Sequence, residues 1–345
     1  MSLQHSVPQF DNPEAYAARA EYRVPRITGG ADDLRHAIDG ATPWQQEQVA
    51  RESSVFGINP DHQPDEFLAA HNRLLDDMEL DLQERLPRVK ALVVERTAAY
   101  FSGGDRARHD QLEAVLVQRL EGTTKVKVAD GLAAKAESAG HFNGMERQPI
   151  LFSGELIRQL DECRDGDDYE ERVERVILAH EVMHGIFAAG TQDTIINKDA
   201  SVRNGLQLMH IDNPMSFQEF SQTTRGTWLN EATLESFRQT IMDTKNVRYE
   251  PGIMVLHMLD HLSPGIRDEA VIAALDGKAP GPLFGKIEAF LGPTGIDEVG
   301  EEITKVATRA DFEAFKDSIV SRLPQDMQER GRLAINQAEQ AIYEH

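Results

Sequence analysis

The sequence predicts a mostly helical α+β protein, in which a small β-sheet precedes an apolar helix and a C-terminal helical subdomain. Apolar residues recur every three or four positions over most of the chain, as in amphipathic helices. One stretch, 123–153, instead alternates apolar and polar residues and contains short apolar runs, which is typical of strands. The predicted parts are a flexible N-terminal arm (1–45), a helical region (46–120), the sheet with the following helix (121–190) and a helical lobe (191–345), the last two forming one domain.

Local signals predict the elements in chain order. The arm contains scattered proline and glycine and little apolar periodicity. Apolar spacing predicts helical structure over 43–99 and a second helix over 109–120. The apolar stripe of the first consists of Leu75, Met78, Leu82, Leu86 and Val89. Strands are predicted at 125–131 and 148–153, where Pro149 favours an edge strand. Further helices are predicted at 167–189, 228–243, from 251 onwards, and at 266–276, 282–291, 296–308, 310–323 and 325–343.

Composition and charge exclude several classes of function. The chain has 345 residues with 36 Lys plus Arg and 58 Asp plus Glu, which gives a net charge of −22. So acidic a protein is not expected to bind nucleic acid or an anionic membrane. The sequence shows neither a transmembrane stretch nor a signal-peptide pattern, and its single cysteine, Cys163, excludes an internal disulfide. We therefore expect a soluble, cytoplasmic protein; its oligomeric state stays open.

The segment 178–185 carries an H-E-x-x-H motif, formed by His180, Glu181 and His184, within a strongly apolar helical pattern. Two histidines four residues apart lie about 6 Å apart along a helix and on the same face, so both imidazoles can reach one ion. Glu181 is close enough to take a proton from a metal-activated water. Two histidines and a glutamate are costly in an apolar helix unless they have partners. The motif therefore favours a zinc (Zn²⁺) site over a chance arrangement.

A catalytic zinc needs a third protein ligand, and the sequence offers two. The first is Glu231, at the start of the helix predicted over 228–243. Glu235, four residues later on the same face, would then support a ligand imidazole through a hydrogen bond. The second is Asp193, on the turn directly after the motif helix. The residues alone leave both open, with Asp193 as the alternative ligand to Glu231.

The two segments together resemble the gluzincin clan of zinc metallopeptidases: His180-Glu181-x-x-His184, followed by Asn230-Glu231 and Glu235. The resemblance implies a zincin-like core, with His180, His184 and Glu231 as zinc ligands and Glu181 as general base. It also implies that an extended substrate lies along the edge strand predicted at 149–153. The resemblance covers about 123–265, and residues 1–120 match no known pattern. Residues 190–193 also resemble the Gly-Thr-x-Asp motif of the aspzincin peptidases, and this second resemblance implies Asp193 as the third ligand.

Further histidines and a tyrosine are weighed for roles at the same site. Related enzymes often bring a Tyr or His from the region after the third ligand to the oxyanion, which implies this role for Tyr249, although packing at a helix corner explains it equally well. His257 and His261 lack a glutamate general base between them, so a structural or surface role is favoured. His257 is the second candidate, after Tyr249, for stabilising the oxyanion. Ordinary polar roles are favoured for His141 and His210.

The sequence thus predicts a zinc-dependent metallopeptidase that hydrolyses peptide bonds, with a peptide or protein as its substrate. Two alternatives stay open. One is a non-catalytic helical interaction protein with a structural or vestigial zinc site, although such a site has no need of Glu181. The other is a zinc hydrolase of non-peptide amides, because water activation is the same chemistry.

Overall fold

Helices form most of the described structure, and the prediction of a mostly helical α+β protein is confirmed. The computed structural model describes residues 24–134, 140–143, 147–163, 166–188, 194–196, 199–212, 221–244, 250–276 and 280–343. The chain divides into two units, with residues 24–185 in the first and 186–343 in the second. The division falls inside a helix, Ala179–Ala188. None of the described helices combines the length and the apolar composition needed to cross a membrane.

Four helices open the first unit. They are α1 (Ala31–Asp39), α2 (Pro43–Phe56), α3 (Pro64–Ser102) and α4 (Arg106–Leu120). The predicted apolar stripe of α3 is buried, with no member more than 4% exposed. Helix α1 lies inside the predicted flexible arm, and Ile27 and Leu34 are buried in a core that also contains Phe67. The prediction of a loose arm is therefore wrong for residues 24–45. Helix α1 buries a single leucine, so it has no apolar repeat that periodicity could reveal.

A three-stranded sheet follows, in the order β1–β3–β2. Its strands are β1 (Lys127–Ala129), β2 (Gly140–Asn143) and β3 (Gln148–Phe152), flanked by the short helix α5 (Gly131–Ala134) and by α6 (Ser153–Glu162). The prediction of an edge strand at 148–153 is wrong, because β3 is central, parallel to β1 and antiparallel to β2. Pairing with β1 starts at Ile150, so the missing N–H of Pro149 removes no bond from that ladder. Among the described strands, β2 is an edge.

The helix that carries the H-E-x-x-H motif is uninterrupted from 166 to 188 but changes its hydrogen-bond pattern along the way. It consists of α7 (Gly166–Glu170), a π-helical segment (Glu171–Leu178) and α8 (Ala179–Ala188). The sequence predicts a helix over 167–189 but carries no sign of the π segment. Most of the stretch from Val173 to Phe187 is buried. The H-E-x-x-H motif therefore lies on a helix that is buried over most of this stretch.

A buried ionic triad joins three elements of the first unit. His71 of α3 lies with Nδ1 2.6 Å from Glu52 Oε2 and with Nε2 3.2 Å from Asp130 Oδ2, and all three side chains are fully buried. The Glu52 carboxylate also accepts a 2.8 Å bond from Gln48, and Asp130 accepts the backbone N–H of Leu132 at 2.9 Å. Burial alone lowers the pKa of His71, but the two carboxylates outweigh it and raise the pKa to about 10. His71 is therefore an imidazolium that holds two acids in the core.

This raised pKa predicts a loss of stability at alkaline pH. The pKa of His71 is about 10 in the folded chain and near 6.5 when unfolded. Its contribution to the free energy of unfolding is complete below about pH 6.5. This contribution is lost as the pH rises through 10, at up to about 1.4 kcal/mol per pH unit. We expect urea unfolding to give a lower free energy at pH 9.5 than at pH 7. The fall should be larger in the wild type than in His71→Gln; equal falls in both proteins would contradict the assignment.

The second unit begins with a four-stranded antiparallel sheet in sequential order. Its strands are β4 (Thr194–Ile196), β5 (Asp199–Asn204), β6 (Gln207–Asp212) and β7 (Ser221–Arg225). The sequence predicts a helical lobe over 191–345, and this sheet corrects that prediction. A weak signal was present. Gly205-Leu206 separates β5, which has two apolar residues at alternating positions, from β6, which has three apolar residues, and Gly205 adopts a positive φ of 59° that suits a two-residue hairpin turn.

Helices complete the second unit. They are α9 (Thr227–Met242), α10 (Glu250–Leu262), α11 (Ile266–Asp276), α12 (Gly281–Leu291), α13 (Gly295–Ile303), α14 (Arg309–Arg322) and α15 (Gln328–Tyr343), with a 3₁₀ turn at Gln325–Met327. Helix α9 is buried on almost all sides and packs against α10, α11 and α13. Trp228 ties its first turn to α13 by donating from Nε1 to the Ile296 carbonyl at 2.7 Å. A helix so enclosed offers a rigid support for the functional side chains it carries.

Candidate metal centre

The two histidines of the motif converge on one point. His180 and His184 lie one turn apart on α8 and are 2% and 6% exposed. Their Nε2 atoms are 3.2 Å apart, and their rings meet edge-on at 75°. Two ring nitrogens directed at each other at this distance share either a proton or a cation. The predicted i, i+4 geometry is therefore present at atomic detail.

Glu181 lies beside this pair and is 3% exposed. The edge strand β2 passes close to its carboxylate: a Cβ atom added at Gly140 would lie only 3.0 Å from Glu181 Oε1. On the other side of the motif, a Cβ at Gly185 would come within 3.1 Å of the Phe142 ring. Both glycines thus allow β2 to approach the motif helix closely. The sequence assigns no such role to Gly140, because the stretch 140–144, Gly-His-Phe-Asn-Gly, indicates only a strand end or a turn.

Glu231 is placed by the Asn-Glu motif at the start of α9. Asn230 is 1% exposed, and its Oδ1 accepts the backbone N–H of Leu206 at 2.9 Å, which ties α9 to the β5–β6 turn. Gly205 is required there, because a Cβ would lie 2.3 Å from Asn230 Oδ1. Glu231 is half-buried, unlike its fully buried neighbours.

His180, His184 and Glu231 match a zinc ligand set in chemistry, two imidazoles and a carboxylate. No family model, curated protein or solved structure matches this chain. The assignment of the site therefore depends on the residues themselves and on their geometry.

Glu235 is engaged in a different way from the predicted one. Its carboxylate forms a bidentate pair with Arg238, with both N···O distances 2.8 Å and both side chains fully buried. Arg238 also donates to Thr244 Oγ1 at 2.6 Å. The predicted support of a histidine by Glu235 stays a prediction. Arg238, three residues further along α9, could have been found as the one basic residue at helical spacing from Glu235.

Several predicted positions lie outside the described residues. The alternative ligand Asp193 and the predicted oxyanion residue Tyr249 belong to this group, and the side chains of His141 and His210 are likewise not described. Their proposed roles stay predictions. His261 is exposed on α10. His257 is half-buried, and burial together with the nearby charge of Arg267 lowers its pKa to about 4. His257 is therefore neutral at pH 7, which suits the favoured structural role.

A second group of possible ligands lies on α4. One ligand atom from each of His109, Asp110 and Glu113 lies within 4.8 Å of the other two. Both acids are exposed, and His109 Nδ1 is 3.6 Å from Asp110 and 3.8 Å from Glu113. Exposed charged side chains on one helix surface often lie this close together without binding an ion, and such pairs contribute little to stability. The buried pair of His180 and His184 is therefore the stronger candidate for a metal site.

Proposed function

We propose that this protein is a zinc-dependent metallopeptidase with a zincin-like core. The observation that carries the proposal is the pair of His180 and His184, buried on one helix with Nε2 atoms 3.2 Å apart and with Glu181 between them in sequence. Two nitrogens 2.0–2.1 Å from a tetrahedral zinc lie about 3.3–3.4 Å from each other. The histidine pair therefore has nearly the separation that zinc requires, and the residues present fit the metal.

Glu231 is the third ligand in this proposal. It is the glutamate of the Asn-Glu motif that follows the histidine pair along the sequence, and it lies at the start of the buried helix α9. Three protein ligands leave a fourth position open, which distinguishes a catalytic from a structural zinc site. When bound, the metal supplies a Lewis acid that lowers the pKa of water and polarises the scissile carbonyl.

The chain's own residues supply proton transfer and substrate alignment. Glu181 accepts a proton from the attacking water and later donates it to the leaving amine. Its burial beside β2 places this carboxylate next to the edge of the three-stranded sheet. An extended peptide can add to such an edge through main-chain hydrogen bonds. The strand proposed to align the substrate is therefore β2 rather than 149–153. Tyr249 is proposed to stabilise the oxyanion.

Zinc stoichiometry tests the ligand set. We expect elemental mass spectrometry of the purified protein to find one zinc per chain in the wild type and in Asp193→Ala, and little in Glu231→Ala, because two histidines alone bind zinc weakly at neutral pH. The matched control is Glu288→Ala, a carboxylate of α12 that pairs with Arg225 and should leave the zinc content unchanged.

Each other outcome has a definite meaning. Zinc lost in Asp193→Ala but kept in Glu231→Ala would replace the gluzincin arrangement with the aspzincin one. Zinc lost only when both acids are removed would indicate a four-ligand, structural site. A wild-type protein that takes up no zinc even after reconstitution would refute the proposal.

A further inference from the structure

The motif helix contains an unusually long stretch of wide turns directly before the metal ligands. The π segment, Glu171–Leu178, spans eight residues, and at its end the N–H of Ala179 donates to the carbonyl of Glu174, five residues earlier. Most π-helical features are single turns within α-helices, and they occur frequently at functional sites. A stretch of this length needs support from surrounding contacts, because the α-helix is the preferred alternative.

Glu174, inside the π segment, receives that support from α3. Its side chain is buried, and its Oε1 accepts a 2.7 Å bond from Arg85 Nη1 and a further contact from Arg88 Nη2. Arg85 is itself held in place by Asp81, whose Oδ2 accepts its Nε–H at 2.8 Å, and its guanidinium lies over the ring of Tyr169 at 5.8 Å. Charge-assisted bonds to a buried carboxylate are strong and directional. Glu174 is therefore fixed relative to α3.

The wide turns determine which way the histidines face. One i→i+5 turn takes in one residue more than an α turn, and one extra residue rotates all that follows by about 100° around the helix axis. His180 and His184 come directly after the segment. A return of the segment to α-helix would therefore turn both imidazoles away from their present direction or force the helix to shift along its axis.

We propose that Arg85 and Arg88 are positioning residues for the metal site, which act by holding Glu174 and thereby the π segment. This inference rests on the proposed zinc site and adds a role for the N-terminal helical region. Residues 64–102 are then a necessary part of the centre rather than a removable pro-segment. A merely structural ion pair between α3 and the motif helix would alter stability without altering the metal's surroundings.

The test compares Glu174→Gln with Glu170→Gln in the full-length chain. Gln keeps the shape of the side chain but removes the charge that both arginines bind. Glu170 is the matched control, since it also contacts Arg88, at 2.5 Å, but is 43% exposed and lies before the π segment. Two readouts are used: zinc affinity by competition with a chromophoric chelator, and the visible absorption spectrum of the cobalt-substituted protein, which reports ligand geometry.

We expect Glu174→Gln to bind zinc at least tenfold more weakly and to show an altered cobalt spectrum, with Glu170→Gln matching the wild type. Should Glu174→Gln fold poorly, Arg88→Gln is used instead, because it removes the more exposed of the two arginines that bind Glu174. Arg88→Lys keeps the positive charge and should therefore recover part of the lost zinc affinity. Wild-type affinity and spectrum in Glu174→Gln would overturn the inference and leave the proposed function standing. A wild-type chain that binds neither metal would overturn both.

Discussion

Glu181→Gln should lower peptide hydrolysis by about 10²–10⁴-fold while the protein keeps its zinc. The amide has the size of the carboxylate but cannot accept a proton from water at neutral pH, so the general base is lost and the ligands are untouched. The side chain is 3% exposed, and therefore bulk water cannot readily replace it as base. The measurement is cleavage of a proteome-derived peptide library, with new termini identified by mass spectrometry, alongside zinc content.

The matched control is Glu95→Gln, an exposed glutamate on α3. It should cleave at the wild-type rate and bind one zinc. Undiminished cleavage by Glu181→Gln would show that another group removes the proton, and the mechanism would be wrong. Loss of zinc together with activity would instead assign Glu181 to the ligand set. Zinc-loaded wild-type protein that cleaves no peptide would favour a non-peptide amide substrate or a non-catalytic site.

His71→Ala should be the most destabilising single substitution among those considered. Removing the imidazolium leaves the carboxylates of Glu52 and Asp130 in the core without their shared cation. Breaking a buried ion pair costs about 3–5 kcal/mol, a large part of the 5–15 kcal/mol that holds a typical domain together. Urea unfolding at pH 7 measures the loss, and the protein need not contain zinc for this experiment.

Two further variants separate charge from packing. His62→Ala removes an exposed histidine just before α3 and should change the free energy of unfolding by less than about 0.5 kcal/mol. Glu52→Gln placed in the His71→Ala background should restore part of the stability, because one of the two uncompensated charges is then gone. If this second substitution destabilised the protein further, cavity formation rather than charge would explain the effect of His71→Ala.

Periodicity and motif spacing were sufficient for much of the helical structure. The stripe along α3 is visible because five apolar residues recur at helical intervals over four turns, and the histidines of the motif share a face because they are four apart. Short elements with one buried residue, such as α1 with Leu34, leave no such repeat. The strands β4 to β7 were missed although Gly205 marked a turn, because β5 contains only two apolar residues and β7 contains none.

Contacts between distant residues explain the other differences. Pro149 indicated an edge strand, yet β3 is central because pairing with β1 starts one residue later. Likewise, no local pattern joins His71 to Glu52 and Asp130, which are 19 and 59 positions away in the sequence.

The available chemistry follows from the amino-acid sequence alone: an acidic, mostly helical chain in which two imidazoles and a glutamate share one helix. Residue type and spacing suffice for this, since a helix converts a four-residue interval into a common face. Tertiary structure decided how those groups are used. The burial of Glu181 beside β2 and the bonds from Arg85 and Arg88 to Glu174 depend on packing against segments far along the chain. No local sequence pattern predicts such packing, because each contact joins two segments that are distant in the sequence and that must both be folded.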